Sequence, residues 1–384
     1  MDGGNERRGG GNWPSSLTVP WGGSSTGPSA IRIEGRVARR PRRAASGWAW
    51  RGLGVLAAVA PAVWVMRTAS LAGVADLVAG AGPALLLVLA PFPLAMAAQA
   101  WGWRTILRAV DTSCPYRPLL RAQLASQAVV FTLPAGSIVA EGVKLTLLDR
   151  WCGVRLPEAT ASVGATRFLL LFSHAFYLAT GALVAQRAMH DLSTGLIGGP
   201  GLEWLGLGSA IVVLLAALGM AGTFALVSPA SALGRAARHA PFAWLRRRAR
   251  SAVETLERTD GHLRELFRRP GPWLVASGPL FLASWASGCI ETALVLHGLG
   301  IRVPFADVLA LETLLTLARA LALFTPAGLG LQDAGYTMFL GACGVPGAAT
   351  IGLAFSVIKR AKEVVWILIG YALLLRWRPA NGKR

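Results

Sequence analysis

The chain has 384 residues, of which 54% are hydrophobic and only 15% are charged, and its mean hydropathy is +0.50. A soluble chain carries about 25% charged residues, so this composition excludes an ordinary soluble domain and calls for an all-α polytopic membrane protein. The net charge of +19 would suit nucleic acid, but its placement excludes that role. The basic residues gather beside apolar segments, which is the pattern of cytoplasmic loops.

Residues 1–46 are rich in Gly, Ser, Pro and Arg and lack an apolar run next to the start. They read as a disordered basic cytoplasmic tail rather than a cleavable signal. A membrane domain follows over 47–378, with basic clusters at Arg32–Arg51, at 229–270 and at Arg376–Arg384. Such clusters can also attract anionic lipid heads.

The first span is expected at about 49–67 and the second at about 82–106, ending in Trp101, Trp103, Arg104 and Arg108, which suit a membrane–water interface. Residues 117–131 form a shorter helix that stops at Leu133-Pro134-Ala135-Gly136, and a second short helix covers about 138–151. Neither is long and apolar enough to cross alone. Together they read as a re-entrant hairpin broken at Pro-Ala-Gly. Spans follow at about 158–186 and 203–228. In the loop 229–270, Leu245, Val253, Leu256, Leu263 and Phe267 recur at helical spacing, as an interfacial amphipathic helix or a solvated linker helix would. A span at about 272–298, a mixed helix at 306–325, a short helix at about 331–342 and a last span at about 347–375 complete the chain.

A segment occurs twice. VVFTLPAGSIVAEGVKLTLLDRWCGV begins at Val129, and ALFTPAGLGLQDAGYTMFLGACGV begins at Ala322. Each has Pro-Ala-Gly, an acid seven residues after the Pro (Glu141, Asp333), and then Cys-Gly-Val. Each precedes an apolar stretch carrying a base, Arg167 in the first and Lys359-Arg360 in the second. With the dense basic clusters on the inside, the count is about six full spans plus two re-entrant hairpins. The N- and C-termini are then cytoplasmic. The units at about 49–186 and 203–375 each cross an odd number of times, which makes them inverted repeats. Inverted repeats with broken helices near the midplane are a recurring transporter design.

The chemistry expected at the breaks is that of helix ends. Pro134 and Pro326 stop one helix, and Gly136 and Gly328 permit the turn. The next helix then presents free N–H groups suited to an anion, unless the break is a packed structural kink. Glu141 and Lys144 share a helix face, and Glu141 is the expected partner of Arg167. Asp333 is expected to pair with Lys359 or Arg360. These pairs either hold the hairpins or line a polar cleft for a phosphate head group. His174 reads as a packed residue or a proton relay. The four cysteines make no CxxC pair and the histidines have no metal-ligand spacing, so neither a disulfide framework nor a metal nor another cofactor is expected. Two matched acid–base pairs without an asymmetric cluster favour transport over an embedded enzyme, so the chain is expected not to be an enzyme.

These motifs resemble the transmembrane region of lysylphosphatidylglycerol synthases and the related stand-alone flippase-like membrane proteins. The resemblance implies movement of a phospholipid or related lipid between leaflets of a bacterial inner membrane. Its motif positions correspond to Pro134, Gly136, Glu141, Lys144 and Arg167, then Pro326, Gly328, Gly330 and Asp333; Lys359 and Arg360 join them as bases of the second copy. Ala140 departs from the Gly that many relatives carry before the acid. Bifunctional relatives add a soluble aminoacyl-transfer domain after the membrane region. This chain ends nine residues after Leu375, so lysyl transfer is not expected. The size also resembles the hopanoid-associated subgroup. The expected partners are the bilayer, a lipid with an anionic or sterol-like head, and enzymes of lipid synthesis. A non-catalytic accessory role in a lipid or envelope-glycan pathway is the alternative.

Overall fold

The computed structural model describes residues 70–133, 136–226, 243–269, 271–321 and 331–375. The expected tail 1–46, the expected first span at about 49–67, Pro134, and the second break with Pro326, Gly328 and Gly330 lie outside the described residues. Those described form twelve α-helices and one 3-10 turn, with no strand among them.

In chain order the helices are α1 (Leu71–Ala81), α2 (Pro91–Ala109), α3 (Tyr116–Thr132), α4 (Gly136–Cys152), α5 (Leu156–Val184), α6 (Gln186–Ile197), α7 (Leu202–Leu226), α8 (Ala243–Arg268), α9 (Gly271–Gly298), α10 (Phe305–Leu321), α11 (Leu331–Ala342) and α12 (Ala348–Leu375). Four stretches are long and apolar enough to cross a membrane: Leu85–Ala109, Leu156–Val184, Leu202–Leu226 and Gly271–Gly298. They match four expected spans within a few residues. The expected last span, α12, has the length but carries Lys359, Arg360, Lys362 and Glu363. Two helices were not anticipated. These are α1, capped by the Ser70 hydroxyl, which accepts from the Gly73 amide at 3.1 Å, and α6 between two spans.

Large apolar side chains remain on the outside. On α7, Trp204, Val212 and Leu215 are each more than 60% exposed. In water such a surface would be costly; against hydrocarbon it is the expected exterior of a bundle. The chain is a multi-pass membrane protein.

The helix ends fall into two groups. At one end lie the α2–α3 and α4–α5 connections, and α8 packs there across α5 and α7. Leu263 and Leu266 of α8 are buried, and Phe267 packs on Phe168, Phe224 and Trp273 at 4.9, 5.3 and 5.6 Å. The C-terminal half of the apolar stripe of α8 thus packs on protein. Arg104, Arg108, Arg117, Arg121, Arg150 and Arg155 sit at or near this end, and we call it the basic end. At the opposite end lie α6, the α9–α10 connection and the α11–α12 connection. There the Ser70 amide donates to Thr350 Oγ1 at 3.2 Å.

Hairpin α3–α4 starts and finishes at the basic end. Cys114 and Cys152 are joined by a disulfide across its mouth, with Cα atoms 5.3 Å apart. This corrects the expectation of no disulfide. Residues separated by 38 positions carry no spacing signal, and only the antiparallel return of α4 along α3 brings them together. Helices α10 and α11 start and finish at the opposite end. Each repeated Cys-Gly-Val is a helix stop. Gly153 and Gly344 have φ of 67° and 71°, the left-handed conformation that glycine adopts without strain. The amides of Val154 and Val345 turn back to the carbonyls of Leu148 and Leu340 at 3.3 and 3.0 Å.

Candidate functional site

At the first hairpin, Gly136 sits where a Cβ would overlap the backbone of Val129 and Val130. Only a residue without a side chain lets α4 begin so close against the end of α3. One and a half turns into α4, the Glu141 carboxylate contacts the Arg167 guanidinium of α5 and lies 3.5 Å from Lys144 Nζ. Arg167 Nη2 also donates to the Ser137 carbonyl at 3.0 Å. Lys144 is buried, with its ammonium 5.7 Å from the Trp103 ring. The anticipated Glu141–Arg167 and Glu141–Lys144 contacts are both present.

In the second half, Asp333 of α11 lies 3.5 Å from Arg360 of α12, and Arg360 also pairs with Glu363 at 2.7 Å. These three side chains are only partly buried. Asp333 therefore takes Arg360 of the two anticipated bases, and Lys359 turns to other acids. Its ammonium reaches Glu312 of α10 at 3.2 Å, Glu291 of α9 at 3.5 Å, Thr292 Oγ1 at 3.0 Å and Tyr336 OH at 2.9 Å. Lys362 donates to both Glu291 oxygens at 2.7 Å. Glu291, Glu312, Lys359 and Lys362 are all buried.

The two expected acid–base pairs are present, but this cluster corrects the expectation that no asymmetric cluster accompanies them. Gln99 of α2 lies 35 residues before Pro134, as Glu291 lies 35 before Pro326. Gln99 accepts from Gln123 of α3 at 2.6 Å and donates to Ser284 at 3.1 Å. The first half thus holds neutral amides where the second holds ions. Glu291 was not anticipated. Its signal was nonetheless legible, since it is the one acid in a 28-residue apolar helix, and an intramembrane carboxylate calls for a partner. Tyr336 carried no signal, because its role depends on α11 and α12 lying side by side.

His174 stacks on Trp285 with centroids 4.1 Å apart, and Trp285 donates to the Leu170 carbonyl at 3.2 Å, which fits a packed residue. The two halves touch through aromatic rings. Phe92 lies 5.8 Å from Phe131 at the end of α3 and 5.3 Å from Trp366 of α12, with Lys362 Nζ 5.7 Å from its ring. Outside the cluster, an apolar groove of about 320 Å³ runs between the second span and α9, lined by Leu87, Pro91, Leu94, Ala98, Ile290 and Leu294.

The model of the lysylphosphatidylglycerol synthase TM region matches residues 51–370. The chain belongs to that family. No curated protein matches it.

Proposed function

We propose that this protein is a lipid flippase of a bacterial inner membrane, moving a phospholipid with an anionic head group between leaflets without making or breaking covalent bonds. The observation that carries this reading is the pair of helical hairpins mounted from opposite ends of one bundle. Each has a carboxylate held by a base of the following long helix, Glu141 by Arg167 and Asp333 by Arg360. Each hairpin enters from its own side of the membrane, and the head group passes between the two while the tails stay in hydrocarbon. The apolar groove beside Ile290 suits an acyl chain. Arg360 and Arg167 supply the cationic contacts that a phosphodiester needs. The excess of arginine at the basic end supports a cytoplasmic setting for that end, and in this reading both termini lie on the same side.

The test is reconstitution in liposomes with head-group-labelled phospholipids, following the label's accessibility to a membrane-impermeant quencher. Exchange well above empty liposomes is expected, falling at least tenfold in Glu141→Gln and Asp333→Asn. If no phospholipid exchanges, with or without an ion gradient, the reading is wrong. Single cysteines placed in the two hairpins should react from opposite sides, and reaction from one side for both would refute the opposed re-entry.

A further inference from the structure

We infer that the groove between the second span and α9 is a docking site for a phospholipid of the leaflet at the opposite end, with one acyl chain in the groove and the phosphate held by His297 and Arg302. This rests on the flippase reading, for which it names the place where lipid is taken up or delivered. The groove, of about 320 Å³, takes Ala283, Ser287, Ile290 and Leu294 from α9. They recur every three or four residues and so share one helix face. Ser287, Ile290 and Leu294 lie in the half of α9 nearer the opposite end, since the helix spans Gly271–Gly298. From Ala283 to Leu294 the helix rises about 16 Å, close to the roughly 15 Å of hydrocarbon in one leaflet. At the deep end Gln99 donates to Ser284 at 3.1 Å, each one residue past the lining Ala98 and Ala283. This polar pair marks where the acyl chain stops.

At its other end the groove runs out beside a second pocket of about 240 Å³, lined among others by Leu296, His297, Arg302, Phe305 and Val308. The second span stays against α9 up to this point, because a Cβ on Gly298 would lie 3.1 Å from Leu85 Cδ2. His297 follows Leu294 by three residues and Ile290 by seven, which puts it on the side of α9 that lines the groove. His297 and Arg302 are both exposed, and among the described residues neither makes an ion pair. A guanidinium offers a phosphate a planar fork of donors and keeps its charge, and the imidazole N–H adds another donor. Phe305 is 60% exposed and, with Leu296 and Val308, gives the ester region an apolar floor. Hydrocarbon groove, apolar floor and paired bases thus follow one another along α9 in the order of the parts of a phospholipid. A soluble anion would use the bases alone and leave the groove unexplained, whereas a lipid uses both.

The experiment uses the full chain in nanodiscs with a trace of phosphatidylglycerol bearing a diazirine midway along one acyl chain. Cross-linked residues are located by mass spectrometry, and diacylglycerol with the same diazirine chain serves as the phosphate-free probe. Val212 and Leu215 on the outer face of α7, each more than 60% exposed, report ordinary contact with bulk lipid. Labelling at Leu94, Ile290 and Leu294 should exceed theirs by about tenfold, the preference that one charge-assisted hydrogen bond gives. The excess should vanish with diacylglycerol and in His297→Gln/Arg302→Gln, a surface variant checked for folding by its melting curve. Ile290→Trp, which fills the groove, should remove the excess at Leu94 and Leu294 and slow leaflet exchange, whereas Leu215→Trp should do neither. Equal labelling of the groove and α7 would mean bulk lipid only and would overturn the site. An excess kept by diacylglycerol or by the double variant would overturn the role of the bases, and with it the proposal. Displacement of the probe by millimolar glycerophosphoglycerol would assign the bases to a soluble phosphodiester and overturn it equally. Leaflet exchange without the labelling excess would sink this site and leave the flippase reading standing. Absence of exchange for every phospholipid would sink both.

Discussion

Arg167 of α5 grips Glu141 of α4 and, through the same nitrogen, the Ser137 carbonyl one turn earlier at 3.0 Å. A long helix thereby holds the first turns of the hairpin's second arm. The Arg167 side chain is 38% exposed, so the pair adds little to stability, about 1 kcal/mol or less. Arg167→Gln should therefore unfold within a few degrees of wild type yet lose most leaflet exchange. Unchanged exchange in a folded Arg167→Gln would make the pair a structural brace only.

The Glu291–Lys362 pair is buried on both sides, at 8% side-chain exposure each. Removing one partner strands the other charge, at a cost of about 3–5 kcal/mol. Lys362→Met should lower the thermal midpoint in detergent sharply. Glu291→Gln/Lys362→Met should recover much of that loss, because neither charge is left behind. A double variant no more stable than the single one would show that Lys359 needs Glu291 more than Lys362 does.

Helices α12 and α3 cross at Gly370, where a Cβ would lie 2.6 Å from Ala128 Cβ and 2.9 Å from the Leu124 carbonyl oxygen. Small residues at a crossing let membrane helices approach closely. Gly370→Val should cost about 1–3 kcal/mol by overpacking and separate the first hairpin from α12, read as faster proteolysis near Leu133. Gly370→Ser should be milder. Equal effects from the two would argue against a steric cause.

Cys114 and Cys152 sit at the basic end, which is cytoplasmic in the proposed orientation, while disulfides persist in oxidising compartments. The expectation is that the pair is reduced in growing cells and oxidises on isolation. Trapping with acid followed by maleimide mass-tagging reads the state directly. A fully oxidised pair in cells would turn the basic end outward and reverse the proposed orientation.

Cys343, at the opposite end, is partly buried near Asp307, and both effects push its thiol up to about 11. The thiolate is the reactive form. Alkylation of Cys343 by iodoacetamide should be slow at pH 7 and rise about tenfold per pH unit toward pH 10. A rate that levels off below pH 9 would show that the thiol is better solvated than the fold implies.

Hydropathy alone located the spans at 156–184, 202–226 and 271–298 within two residues at each end, because a bilayer dictates helix length. The doubled Cys-Gly-Val segments were legible as helix stops, since glycine acts on its own backbone. Glu141 with Arg167 could be anticipated because each charge is conspicuous in apolar surroundings and the repeat offered a partner. The α1 and α6 helices were not legible, being short and lying between the stronger apolar signals.

Sequence by itself determined that this chain lives in a membrane, that it is helical, and that two broken segments carry the charge. Tertiary structure alone decided which charges meet. Whether Lys359 serves Asp333 or Glu312, whether Cys114 reaches Cys152, and whether α8 faces lipid or protein depend on helices far apart in the chain lying side by side. Buried ions and thiols choose partners by distance and direction in space, and neither is encoded in local propensity.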